Sequence, residues 1–309
     1  MLAGYNTQAE QNNQTKLTKI MTHEHDDRGG SATMQSFVEK IVEPKALYVV
    51  ATPIGNLSDM SQRAQQVLTE VAWIAVEDTR RSRKLLKHFG ISNKLISMHD
   101  HNERERVEQL LSRLESGESG ALVCDAGTPL ISDPGYLLVR DAHSRGLSVV
   151  PIPGPSALIA ALSVCGLPVS SFVFEGFLPA KTHARQKRLK ALSAETRTIV
   201  LFESPHRIFA LLGDLAAIMG EDRRSVLARE LTKMYENIHG DTLGALVQWL
   251  KENPEQQQGE FVVIVAGLEA TLVPAQTQEV EKLLSALLEE LPSKQAARIA
   301  AKISGLKKT

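Results

Sequence analysis

Short apolar runs alternate with stretches of helical periodicity along the first half of this chain. Ala46–Thr52 reads as a buried strand. Ala64, Val67, Leu68 and Val71 then recur at i, i+3, i+4 and i+7, one face of a helix. Trp73–Glu77 is the next strand, Val107, Leu110, Leu111 and Leu114 mark another helix, and Gly120–Asp125 a further strand. A helix over Tyr136–Ser144 leads into a strand at Leu147–Ile152. Strand, helix, strand repeated in this way predicts a parallel sheet covered by helices.

The pattern breaks at Pro151–Pro155, where prolines and a glycine interrupt regular structure. Beyond a short helix, strands are predicted at Ser171–Phe177, Thr198–Glu203, Ser225–Glu230, Asn237–Asp241 and Glu260–Gly267. The last of these follow one another closely, which favours a mixed sheet. A leucine stripe from Leu283 to Leu291 and the run Pro292–Ala300 suggest two small helices. The expected division is a disordered extension over 1–44, α/β domains over 45–154 and 155–270, and a helical tail over 271–309. The extension is polar, with no apolar core of a leader peptide, and buries too little to offset its ordering entropy.

Composition narrows the picture by exclusion. Lys plus Arg is 35 against 36 Asp plus Glu, a formal net charge of −1, so bulk charge does not point to a polyanion partner. Two cysteines, Cys124 and Cys165, lack zinc-site spacing and cannot make a disulfide framework, which favours a reducing compartment and no metal. No apolar run is long enough for a membrane span. GxGxxG, GxxxxGK[ST], HExxH and GxSxG are all missing from the sequence.

The distinctive chemistry lies at strand ends, where parallel α/β sheets bind ligands. Thr52–Asn56, Asp125–Pro129 and Pro151–Ser156 are all rich in Gly and Pro. Glycine lets backbone approach a ligand closely, and proline stiffens the loop. Three such loops in one half of the chain predict a rigid pocket.

Seven motifs then occur in order: TPIGN from Thr52, EDTR from Glu77, CDAGTPLISDPG from Cys124, PIPGPSA from Pro151, FESPHR from Phe202, ARELT from Ala228 and GEFVV from Gly259. Over about Ala46 to Gly267 the chain resembles the small-subunit ribosomal RNA methyltransferases of the tetrapyrrole methylase-like superfamily. The resemblance implies two α/β domains of the tetrapyrrole methylase type, not Rossmann-like, with the cofactor in the cleft between them. It implies S-adenosyl-L-methionine-dependent methylation of a cytidine ribose 2′-oxygen in the decoding region, on rRNA or the assembled small subunit. A cytoplasmic homodimer is also implied. Relatives tend to continue beyond Lys307-Lys308-Thr309, so an incomplete tail is expected.

Carried onto this sequence, the cofactor-binding residues are Pro53, Asp125, Gly127, Thr128, Ile131, Ser132, Ser156, Ala157, Phe202, Ala228 and Leu231. Candidate bases for the weakly nucleophilic hydroxyl are Glu77, Glu203, His206 and Glu230. Glu203 is placed to orient His206; alternatively it pairs with Arg207 and His206 only contacts substrate. Catalysis by alignment alone is a third option. RNA needs cations. No acid occurs from Thr79 to Lys94 or from Gly176 to Ala194, both rich in Lys and Arg. Asn56, Arg80, Arg83, Lys84, Lys181, Arg185 and Arg207 are the expected RNA contacts. His99–Glu103 is read as a substrate loop or structural turn. Competing readings are a tetrapyrrole or protein methyltransferase of the same fold, and a non-catalytic RNA-binding ribosome assembly protein.

Overall fold

A computed structural model of the chain describes residues 41–99, 102–268, 283–289 and 291–304. The extension expected over 1–44 lies outside these up to residue 40, as do Asp100 and His101. The described sheets belong to one compact unit, Lys40–Thr309.

The first sheet contains β1 (Ala46–Val50), β2 (Trp73–Val76), β3 (Leu95–Ser97), β4 (Gly120–Leu122) and β5 (Ser148–Ile152), in the order β3-β2-β4-β1-β5. All its pairings are parallel. Successive strand residues point to opposite faces, so each face builds its own core. Ala46, Tyr48, Val50, Ile74 and Val76 pack with helices α1 (Gln62–Glu70) and α2 (Thr79–His88). Leu47, Trp73, Ala75 and Leu122 pack with α3 (Glu103–Glu115) and α4 (Tyr136–Ser144) on the other face. β3 is the strand that periodicity misses. It is only three residues long and its side chains are half-buried, so it carries little apolar signal.

β1 and β4 are neighbours, and the chain leaves them in opposite directions, from β1 towards β2 and from β4 towards β5. This is a topological switch point, where a crevice opens at the carboxyl ends of the strands. Here Thr52 N donates to Gly127 O at 2.8 Å and Gly127 N donates to Thr52 O at 3.0 Å. The two glycine- and proline-rich loops are thus bonded to each other.

The second sheet is mixed, as predicted. It orders as β6 (Phe172–Phe177), β7 (Thr198–Glu203), β10 (Phe261–Val265), β8 (Arg224–Arg229) and β9 (Asn237–Thr242). Only β6 and β7 pair in parallel; β7–β10, β10–β8 and β8–β9 are antiparallel. One face packs on α6 (Thr182–Leu192), α7 (Ile208–Met219) and α8 (Leu243–Glu252). The other packs on α5 (Ala157–Val164) and on Ile54 from the loop after β1. That second core is a seam joining the two sheets.

Two helices follow, as expected, at 283–289 and Ser293–Ser304, the latter burying Ala296 and Ala300. Among the described residues no helix is long and apolar enough to cross a membrane.

Candidate functional site

A cavity of about 480 Å³ opens between the loops of the first sheet and the ends of β6, β7 and β10. That volume lies within the range of roughly 300–1,000 Å³ typical of small-molecule sites. One wall carries Glu77, Arg81, Asp125 and Asp133, with Ile131 and Ser132 beside them. The facing wall carries Phe177, Phe202, Glu203, Leu231 and Lys233. Ile54 and Ala157 close the seam between them.

Local chemistry explains why each loop holds its shape. Thr128 Oγ1 donates to Pro155 O at 3.0 Å, tying the second loop to the third. Gly127 has φ +88, a conformation that side chains avoid, and a Cβ there would lie 3.3 Å from Ile54 Cγ2. Leu130 and Ser132 follow at φ 73 each, and Glu230 and Thr232 on the facing wall sit at φ 51 and 67. Left-handed non-glycine residues cost energy and cluster at ligand sites. Four of them flank this one cavity.

The cavity collects Asp125, Ile131, Ser132, Ala157, Phe202 and Leu231 of the expected cofactor residues. Pro53, Gly127 and Thr128 lie behind them as the frame of the loops. Ser156 lines a neighbouring cleft of about 360 Å³ with Gly154 and Thr232. Ala228 is fully buried under the seam, where it supports the wall without reaching the cavity.

The lining suits S-adenosylmethionine in kind. Phe177 and Phe174 pack edge-on against Phe202, an apolar surface for a flat base. The carboxylates opposite suit the cationic sulfonium and amino groups.

Each acid has its own surroundings. Asp125 Oδ1 accepts from Asp78 N at 3.2 Å, and Oδ2 accepts from Arg81 Nη1 at 3.0 Å. Burial, then the negative charges of Glu77 and Asp125, push the Asp133 carboxyl up to about 6, against a hydrogen bond with Cys124. Burial likewise pushes the Cys124 thiol up, keeping it neutral, with the negative charge of Asp133 adding to it. β4 ends at Leu122, so Cys124 lies in the loop and not, as expected, in the strand; its thiol meets Ala126 O at 3.3 Å. Glu203 is buried, accepts from Ser204 N at 2.8 Å and pairs with Arg207 at 3.1 Å. Burial resists ionisation of Glu230, but Lys233 at 2.8 Å and the Glu260 N–H at 2.9 Å outweigh it and hold the carboxyl below its usual range. His206 is exposed and lies outside the cavity lining.

Two expected RNA contacts are corrected. Arg185 is 4% exposed and pairs with Asp214 at 2.7 Å, joining α6 to α7. Arg207 turns inward, donating to Leu178 O at 2.7 Å besides pairing with Glu203. Asp214, the partner of Arg185, lies outside the acid-free window that the sequence displays. Arg188 is similarly held by Glu175 at 2.6 Å. Arg80, Arg83, Lys84 and Lys181 are exposed, as an RNA surface requires. Asn56 is exposed too, with its Oδ1 accepting from Ser58 N at 3.0 Å. Asn102 is a turn residue that precedes α3 and Glu103 opens that helix; Glu103 Oε1 accepts from Gly135 N at 3.1 Å at the start of α4.

Asp133 and Lys233 are cavity residues that the sequence did not single out, and Arg81, expected only as one cation of the basic run after Glu77, joins them there. Each lies inside or directly beside a motif already noted, so adjacency was the available signal.

The family model for Tetrapyrrole (Corrin/Porphyrin) Methylases matches residues 46–247, and that for the RsmI C-terminal HTH domain matches 274–309. The second match restores kinship to the tail. Ribosomal RNA small subunit methyltransferase I of Escherichia coli O157:H7 is 52% identical over 85% of this chain and 91% of its own length. The protein of that name from Synechocystis is 46% identical over 82% and 90%. Among solved structures, diphthine synthase shares the fold at TM-score 0.56 and 18% identity, over 72% of this chain and 89% of its own. Cobalt precorrin-4 methyltransferase does so at 0.53 and 16%, over 72% and 95%. The chain therefore belongs to the tetrapyrrole methylase family and, within it, to the ribosomal RNA small subunit methyltransferase I proteins.

Proposed function

We propose that this chain is an S-adenosylmethionine-dependent methyltransferase that modifies the ribose 2′-oxygen of a cytidine in the decoding region of small-subunit ribosomal RNA. The observation that carries this reading is the identity of about half of all positions with relatives of that name across 85% of the chain. A cavity suited to the cofactor, with the exposed cations of α2 beginning beside it, agrees in kind.

S-adenosylmethionine supplies the methyl group when bound. Ile131, Ser132, Ala157, Phe202 and Leu231 would hold it, and Asp125 would stand near its positive charge. The chain's main contribution is positioning: an in-line displacement gains most of its rate when nucleophile and methyl carbon are held in register. The bonded loops after β1 and β4 provide that rigidity. Phe174 and Phe202 give the wall of β6 and β7 an apolar surface. Arg80, Arg83, Lys84 and Lys181 would meet phosphates, the exposed face of A-form and looped RNA alike. The substrate implies a cytoplasmic enzyme, and the family resemblance a homodimer acting on free rRNA or the assembled subunit.

The test is methylation of small subunits purified from cells lacking the gene. Labelled methyl should appear at one cytidine, and alkaline hydrolysis should skip the bond 3′ of it. Label on a base or a protein, with no ribose product, would overturn this reading.

A further inference from the structure

Asp133 stands apart from the other acids of the cavity. Asp125 is engaged by Arg81 and the Asp78 N–H, Glu203 by Arg207, and Glu260 by Lys233 at 2.7 Å. Asp133 makes no ion pair among the described residues. It is half-buried in the cavity wall, one residue after the left-handed Ser132. β6 pins that loop: Gly176, at φ +62, leaves room for Ser132 Oγ, which a Cβ there would approach to 2.8 Å.

We propose that Asp133 is a catalytic residue, the acceptor of the proton released by the attacking ribose hydroxyl. In the step, the hydroxyl oxygen uses a lone pair to form the O–C bond, the C–S bonding pair stays on sulfur, and the hydroxyl proton passes to the Asp133 carboxylate. A sulfonium and a carboxylate become a neutral thioether and a carboxylic acid, so the net charge of the cavity is unchanged. The groups facing Asp133 favour this direction. Glu77 at the end of β2 and Asp125 on its own loop are negative and raise its proton affinity; the Cys124 thiol opposes them. The basic groups of the cavity, Arg81 on α2 and Lys233 after β8, are committed to Asp125 and to Glu230 with Glu260. An acid raised to about 6 is an ionised yet effective base near neutral pH.

The inference rests on the ribose-methylation reading and is separable from it. Single-turnover methylation of small subunits is measured from pH 5 to 9 for the full chain and for Asp133→Asn, Asp133→Glu and Glu77→Gln. Affinity for S-adenosylmethionine and for neutral S-adenosylhomocysteine is measured over the same range. Asp133→Asn should lose about 100-fold or more in rate and its acid limb, while keeping S-adenosylhomocysteine affinity. Asp133→Glu should recover part of the rate. Glu77→Gln should keep the limb, moved to lower pH. S-adenosylmethionine affinity should rise with pH through the Asp133 titration in wild type but not in Asp133→Asn. A rate within about 10-fold of wild type in Asp133→Asn, or a pH-dependent cofactor affinity that survives it, overturns the proposal. A wild-type enzyme that modifies no ribose overturns the reading beneath it instead.

Discussion

Arg81 Nη1 and Asp125 Oδ2 meet at 3.0 Å across the rim of the cavity, and Asp125 Oδ1 also accepts the Asp78 N–H that begins α2. Asp125 therefore joins the loop after β4 to the helix bearing the exposed cations. Asn at this position keeps an acceptor for Asp78 and loses the ion pair; Ala loses both. The Arg81 side chain is 72% exposed, so the pair adds under about 1 kcal/mol to folding. Asp125→Asn should leave the melting temperature nearly unchanged, and Asp125→Ala should weaken both cofactor and RNA affinity, by more than Asn does. Calorimetry with each ligand measures the split.

Gly127 is the second test. Alanine there must adopt φ +88 and press on Ile54 at 3.3 Å. The conformation alone costs roughly 1–2 kcal/mol. Gly127→Ala should lower cofactor affinity by about 10-fold or more, with near-native secondary structure by circular dichroism. Unchanged affinity would detach this turn from the cofactor.

The two basic clusters should behave oppositely. Removing Arg185 leaves the Asp214 carboxylate without its cation, held only by the neutral Gln186 amide at 2.8 Å, and should cost about 3 kcal/mol by denaturant unfolding. Replacing Arg80, Arg83 and Lys84 together should barely change stability. It should instead weaken RNA binding and flatten its salt dependence, by about one unit of slope for each phosphate no longer neutralised.

Asp133 makes a prediction about stability as well. Its folded-state value, about 6, lies above the ordinary 3.8, so its contribution to stability is full below 3.8 and lost as pH rises through about 6. Asn carries no such penalty. Asp133→Asn should therefore unfold later than wild type at pH 8, by about 1 kcal/mol after allowing for solvent screening of a half-buried group, with no gain at pH 4. Paired denaturant melts at the two pH values check the sign.

Local order left a clear trace in the chain. The helix Tyr136–Ser144 and strand Thr198–Glu203 lie where hydrophobic spacing puts them, because a buried face imposes a period of 3.6 or 2 on its residues. The loops after β1, β4 and β5 announce themselves by Gly and Pro, since backbone turns demand those residues whatever surrounds them. Partners are another matter. Gly176–Ala194 contains no acid, yet Arg185 and Arg188 are bound to Asp214 and Glu175 from outside it, and Arg207 turns to Leu178 O. Asp133 looks like one more residue of a loop until Glu77 and Asp125 close around it. Period and turn chemistry are properties of neighbours in sequence, whereas ion pairing, burial and proton affinity depend on which distant segments the two sheets bring together.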